Sequence, residues 1–213
     1  MTSSRRSIVV VHGLWMNGAA MQFLQRGLEP HGFDVHVFHY PSIKQSLAAN
    51  AARLARFYSA VPGDEVNFVG HSLGGVLIRE MLDETASTRP GRVVTLGSPL
   101  TGSCTGLRVN RLPGGARLLG LSIGDHIARG SCGPWRAPLP LGSIAGNLPY
   151  GVGRLFGALK GPNDGTVAVA ETELPGATDH IVLPVTHFAL LWSRAVLAQT
   201  LEFLEHGRFV HVR

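Results

Sequence analysis

Short β-branched runs alternate with longer segments in which apolar residues recur every three or four positions, the pattern of parallel strands joined by crossover helices. Ser7 to Val11 (SIVVV) predicts a buried strand, and Gly18 to Glu29 places Met21, Leu24 and Leu28 on one helical face. Asp34 to His39 alternates, with Val35, Val37 and His39 on one side and His36 and Phe38 on the other, until Pro41 stops it. Lys44 to Ala60 carries Leu47, Leu54, Phe57 and Tyr58 among alanines, the strongest helix formers, and ends at Pro62-Gly63-Asp64. Glu65 to Val69 predicts a third strand, Leu73 to Ala86 a third helix and Arg92 to Leu96 a fourth strand.

Beyond Pro99 the periodicity fades. Residues 100–160 hold 13 of the 27 glycines, which marks this stretch as an insertion or cap over the sheet edge. Within it Ala116 to Arg129 predicts a short helix weakened by Gly120 and Gly124, and Leu139 to Ala145 a fifth strand. Asp179 to Val185 reads as the last strand, with Pro184 near its end, and Leu190 to Glu205 as a closing amphipathic helix.

The length of 213 residues favours one α/β domain over 1–213, given roughly 150 residues per domain. At 45% hydrophobic and 15% charged, the chain has the apolar surface for a core, which excludes intrinsic disorder. No run approaches the roughly 20 apolar residues of a membrane span. The first residues, with Arg5 and Arg6 followed by only four apolar positions before His12, do not predict a secretory leader. Cys104 and Cys132 are too few for a disulfide lattice or a cysteine metal site, and with the missing leader they suggest a cytoplasmic location.

The net charge is +5, and its location matters more than its size. From Leu100 to Lys160, Arg108, Arg111, Arg117, Arg129, Arg136, Arg154 and Lys160 face a single acid, Asp125. The stretch lacks the pattern of a nucleic-acid reader, so no nucleic-acid partner is expected. An anionic group or surface near this insertion is the partner such charge would suit, although scattered solvated arginines give the same count.

Chemistry concentrates at Gly70-His71-Ser72-Leu73-Gly74-Gly75, a GxSxG between a strand and a helix. Turning so fast forces the serine into a strained backbone, and glycines two residues either side avoid a clash. An inert glycine-rich turn is the alternative, but the spacing fits neither GxGxxG nor GK[ST]. A serine hydroxyl needs a base and a group to orient that base. His187 follows the last strand and suits the base, whereas His180 sits at that strand's other end and reads as structural. Asp164, in Asn163-Asp164-Gly165-Thr166-Val167, precedes His187 and suits the acid; Asp179, Asp125 and Glu171 are its rivals, and Asp-Gly alone is also a turn signal. The backbone amides of Leu14, after His12-Gly13, and of Leu73 are the expected oxyanion donors. Trp15 and Ser98 are expected at the substrate, with His12 and Trp15 shaping their loop rather than reacting.

Taken together, His12-Gly13, the GHSxGG elbow, Leu96-Gly97-Ser98-Pro99 with Gly102-Ser103, and the Asn163 to Val167 loop resemble the α/β-hydrolases, in particular small bacterial lipases and esterases, over nearly the whole chain. The resemblance implies a minimal fold of that superfamily, an about six-stranded, mostly parallel sheet flanked by helices, lacking the first two strands of the full fold. It also implies cleavage of a small-molecule carboxylic ester through an acyl-enzyme, with Ser72 as nucleophile, Asp164 as acid, His187 as base and no cofactor or metal. A thioesterase or acyltransferase would use the same triad, and a non-catalytic hydrolase-like binding module is the third reading.

Overall fold

Ile8, Val9, Val10 and Val11 are all fully buried, as a β-branched run should be in a strand covered on both faces. In the computed structural model, which describes residues 5–85, 87–130, 133–151 and 159–211, they belong to β1 (Arg6–Val11). It is joined by β2 (Phe33–Phe38), β3 (Glu65–His71), β4 (Val93–Leu96), β5 (Leu141–Gly146) and β6 (Asp179–Leu183). All pairings are parallel, in the order β2-β1-β3-β4-β5-β6.

The two-residue period of each strand splits the core. Ile8, Val10, Val69, Val94 and Ile144 pack on one face under α1 (Gln22–Leu28) and α7 (Arg194–His206), which contribute Leu24, Leu28, Val196 and Phe203. Val9, Val11, Phe68 and Val93 face the other way, under Leu54 of α2 (Leu47–Ala60) and Leu77 of α3 (Leu73–Glu84). Each such side chain, fully buried, contributes about 1.5–3 kcal/mol.

Strand order also places the site. From β1 the chain crosses to β2 on one side, whereas β3 to β6 extend from its other side. Connections therefore leave β1 and β3 in opposite directions, which opens a crevice at their carboxyl ends. The segments after those two strands are the His12-Gly13 loop and the Ser72 elbow.

Boundaries differ from the expectation where local chemistry intervenes. The segment Gly18 to Glu29 is a 3-10 turn (Gly18–Met21) capped by Asn17, then α1, then a second 3-10 turn that includes Pro30. The helix expected from Lys44 starts at Leu47, because Ser46 caps it and Asp125 accepts from the Leu47 N–H at 2.8 Å. The closing helix splits into a 3-10 turn (Ala189–Leu191) and α7, capped by Ser193. Two helices went unforeseen: α4 (Cys104–Asn110), capped by Ser103, and the single turn α6 (Val169–Thr172).

In the glycine-rich stretch the expected helix forms as α5 (Gly115–Arg129), broken at Gly120, whose φ of 74° and ψ of −177° lie outside the helical region. Residues 152–158, with Arg154, and Cys132 lie outside the described residues. Arg111, Arg117, Arg129 and Arg136 are exposed, and Arg129 pairs with Glu80 of α3. No described helix is long and apolar enough to cross a membrane.

Candidate active site

His71 ends β3 and Leu73 begins α3, so Ser72 alone makes the turn, with φ 53° and ψ −122°. Only Trp15 and Ser72, among the described non-glycine residues, have positive φ, a conformation that costs about 1–3 kcal/mol and needs external support. For Ser72 the support is its N–H donating to Leu96 O at 2.9 Å and its carbonyl accepting from Gly75 N at 3.1 Å. The glycines of the motif are needed for close approach. A Cβ on Gly70 would lie 2.6 Å from Gly75 N, and one on Gly74 would lie 2.2 Å from Val11 O.

The Asp164 loop is built to hold a carboxylate. Its Oδ1 accepts from the N–H groups of Thr166 and Val167 at 2.9 and 2.7 Å, and Asn163 Oδ1 accepts from Gly165 N at 3.0 Å. Asp164 is 1% exposed, and its Oδ2 lies 2.7 Å from His187 Nδ1. With a carboxylate there, Nδ1 carries the ring proton, which leaves Nε2 with its lone pair. A second tie, His187 N donating to Asp164 O at 2.9 Å, fixes the loop itself.

Sequence reasoning passed over His71, which is fully buried. Its Nε2–H donates to His187 O at 3.0 Å, and the two rings lie 4.8 Å apart. Burial, with the neighbouring His187 and then His12, pushes the His71 pKa down to about 3, so the ring is neutral at ordinary pH. Gly97 was also passed over as a site residue. At φ +57°, a Cβ there would lie 3.0 Å from Asp164 Oδ2 and 3.2 Å from His187 Nδ1. Its only sequence signal was its place in Leu96-Gly97-Ser98-Pro99.

Ser72 and His187 line one cavity of about 100 Å³, together with Leu14, Trp15, His71 and apolar side chains that include Val109, Leu119, Ile123, Val167 and Phe188. The wall from Ser103 to Val109 and from Leu119 to Ile123 comes from α4, its cap and α5, which bring this part of the glycine-rich stretch to the cavity that Ser72 and His187 line. Among the described residues no Arg, Lys, Asp or Glu lines it, so the described basic residues of the insertion do not reach its wall.

Leu14 and Trp15 stand at the cavity, and Leu73 starts α3, where first-turn N–H groups have no helical partner. Ser98, expected at the substrate, is instead fully buried behind the elbow, 3.5 Å from Gly70 O, and does not line the cavity. His12 anchors its loop. Its ring stacks on Tyr40 at 4.5 Å, and its carbonyl accepts from Tyr40 Oη at 2.9 Å. His180 meets Thr172 Oγ1 at 2.9 Å, away from the cavity.

The rival acids are occupied elsewhere: Asp179 accepts from Phe209 N, Asp125 from Leu47 N, and Glu171 from Ala168 N. Among the described residues no three His, Cys, Asp or Glu side chains gather into a metal-holding group.

A parallel sheet, a strained serine elbow at its carboxyl edge and a buried Asp-His pair beside it define a familiar class of architecture. The chain belongs to the alpha/beta hydrolase fold family, whose sequence model matches residues 6–121. No curated protein matches it. Among solved structures, it is similar to the Bacillus licheniformis lipase BlEst2 in its propeptide form, with a TM-score of 0.74 at 19% identity. That match covers 98% of this chain but 52% of the other, so the chain spans about half of that lipase's length. The metagenomic carboxyl esterase MGS0156 matches with a TM-score of 0.63 at 21% identity over 89% of this chain and 66% of its own. The thioesterase RedJ of the prodiginine pathway in Streptomyces coelicolor matches with a TM-score of 0.59 at 18% identity, covering 93% and 85%.

Proposed function

We propose that the chain is a serine hydrolase that cleaves small, uncharged carboxylic esters through an acyl-enzyme. One observation carries the reading: Ser72, on its strained turn, shares a cavity with His187, whose Nδ1 is held by the buried Asp164. Ser72 Oγ attacks the ester carbonyl carbon as its proton passes to His187 Nε2. The negative oxygen that forms is met by the amides of Leu14 and Leu73, each typically worth about 3 kcal/mol. The carbon–oxygen bond to the leaving alcohol then breaks, and the alcohol departs with the proton from His187. Water attacks the acyl-enzyme, giving up a proton to the same nitrogen, and collapse releases the acid and returns the proton to Ser72 Oγ. Asp164 orients the ring and stabilises it while charged.

The uncharged lining of the cavity favours a neutral acyl group. Arg111 and Arg117, exposed on the same stretch, would meet an anionic group or surface from outside the cavity, not in it.

The test is Ser72→Ala. It should abolish covalent labelling by a fluorophosphonate and nearly all hydrolysis of p-nitrophenyl butyrate while leaving the melting temperature unchanged. Retained turnover would reject the mechanism. A second reading, a thioesterase or acyltransferase, is supported by the likeness to RedJ and to the type II thioesterase BorB. Matched oxyester and thioester substrates, with and without added alcohol, separate the three. A pure binding module has no use for a strained serine beside an oriented imidazole.

A further inference from the structure

Trp15 is a bulky residue at φ +57°, about half exposed, on the loop that also presents Leu14 to the cavity. Like Ser72 it needs something to hold it in that conformation. The holding contact is long-range: its indole Nε1–H donates to Leu118 O, 103 residues away, at 2.9 Å. Leu118 lies in the first part of α5, two residues before the break at Gly120. In an unbroken helix its carbonyl would accept from the N–H four residues on. The non-helical Gly120 interrupts that ladder, and Leu121 N donates to Ile43 O at 2.9 Å. A side chain could not replace Gly120, since a Cβ there would lie 2.5 Å from Ile43 Cα. The break therefore turns a helix carbonyl outward and pins α5 against the segment before α2.

We propose that Trp15 is a positioning residue, whose bond to Leu118 O fixes the backbone of its own loop and thereby aims the Leu14 amide at the reacting oxygen. The wall formed by α5 and the stabilisation of the transition state are then one linked assembly. This rests on the reading of Leu14 as an oxyanion donor. A hydrogen bond outside the reacting centre earns its effect through geometry, because an amide turned away from the developing charge loses most of its value in the transition state and little in the ground state.

The experiment compares Trp15→Phe, which keeps an aromatic ring and the strain but loses the N–H, with Trp15→Asn, which tolerates the left-handed backbone but is too short to reach Leu118. For p-nitrophenyl butyrate, kcat should fall about tenfold in both variants, with KM within about twofold of the parent. Affinity for phenylboronic acid, which forms a tetrahedral adduct on a serine, should fall in step with kcat. Trp15→Asn should melt no lower than the parent, so lost turnover cannot be put down to unfolding. Unchanged kcat and boronate affinity in both variants would overturn the proposal, as would losses that merely track the melting temperature. A parent protein that neither binds the boronate nor loses turnover on Ser72→Ala would instead overturn the serine-hydrolase reading itself.

Discussion

His71 donates its Nε2–H to the main-chain carbonyl oxygen of His187 at 3.0 Å, across 116 residues of sequence. The strand that delivers the serine thus also holds the loop that delivers the imidazole.

Replacing that donor should act on turnover through His187. In His71→Leu the buried His187 carbonyl loses its partner, a loss worth about 1–3 kcal/mol, and the loop is free to shift. We expect kcat to fall about tenfold or more with a lower melting temperature. His71→Gln, whose amide can donate from nearly the same place, should recover most of both. Equal damage from the two substitutions would show that ring packing, not the hydrogen bond, matters.

Asp164→Asn should be severe without disturbing the fold. One oxygen of the carboxylate accepts from Thr166 N and Val167 N and the other faces His187 Nδ1. An amide has only one oxygen, so it either turns its NH2 toward Nδ1 and selects the wrong tautomer or faces two N–H donors with its own. Turnover should drop by about 10³-fold or more, while fluorophosphonate labelling slows without vanishing. Near-normal activity would move the acid role to another residue.

Acid should weaken the fold through its buried histidines. The His71 pKa falls from 6.5 to about 3, mainly through burial, and burial likewise lowers those of His12, His126 and His180. The unfolded chain therefore takes up protons that the native chain refuses. Their contribution is complete above pH 6.5 and is lost progressively as pH falls below it, for His71 toward about 3. Urea midpoints measured between pH 7 and pH 4 should decline, and His71→Gln should flatten the decline. A midpoint that stays level over that range would contradict this assignment.

Cavity size should set acyl length. Leu119 and Ile123 are buried in the cavity wall. Leu119→Ala and Ile123→Ala should each cost about 2–5 kcal/mol of stability. Both should move the preferred acyl group toward longer chains in a series of p-nitrophenyl esters from acetate to decanoate. An unchanged optimum would mean that the acyl chain lies elsewhere.

Much of this was legible in the chain because local and global signals agree. The strand Ser7 to Val11, the GxSxG and the Asn163 to Val167 turn each declare their conformation within a few residues. Asp164 and His187 could be paired from chain order and strand ends alone. What escaped depends on contacts between distant segments. Ser98 sits in a motif beside the elbow, but which way it points is decided by its packing behind that elbow, under Gly75, where a Cβ would lie 2.2 Å from Ser98 Oγ. His71 carries no local signal of its role, because its partner is a backbone carbonyl that sequence does not reveal. The α4 helix had a readable cap in Ser103, but Gly106 and its short length masked the period.

The six parallel strands carry a final implication for how this protein comes into being. Parallel neighbours need long crossovers, so the groups gathered at one edge start far apart along the polymer and can meet only late in assembly. Catalysis would then be an all-or-nothing gauge of maturation: during refolding, ester turnover should return no sooner than the slowest spectroscopic phase. A chain severed between β4 and β5 should recover it only when both pieces are present.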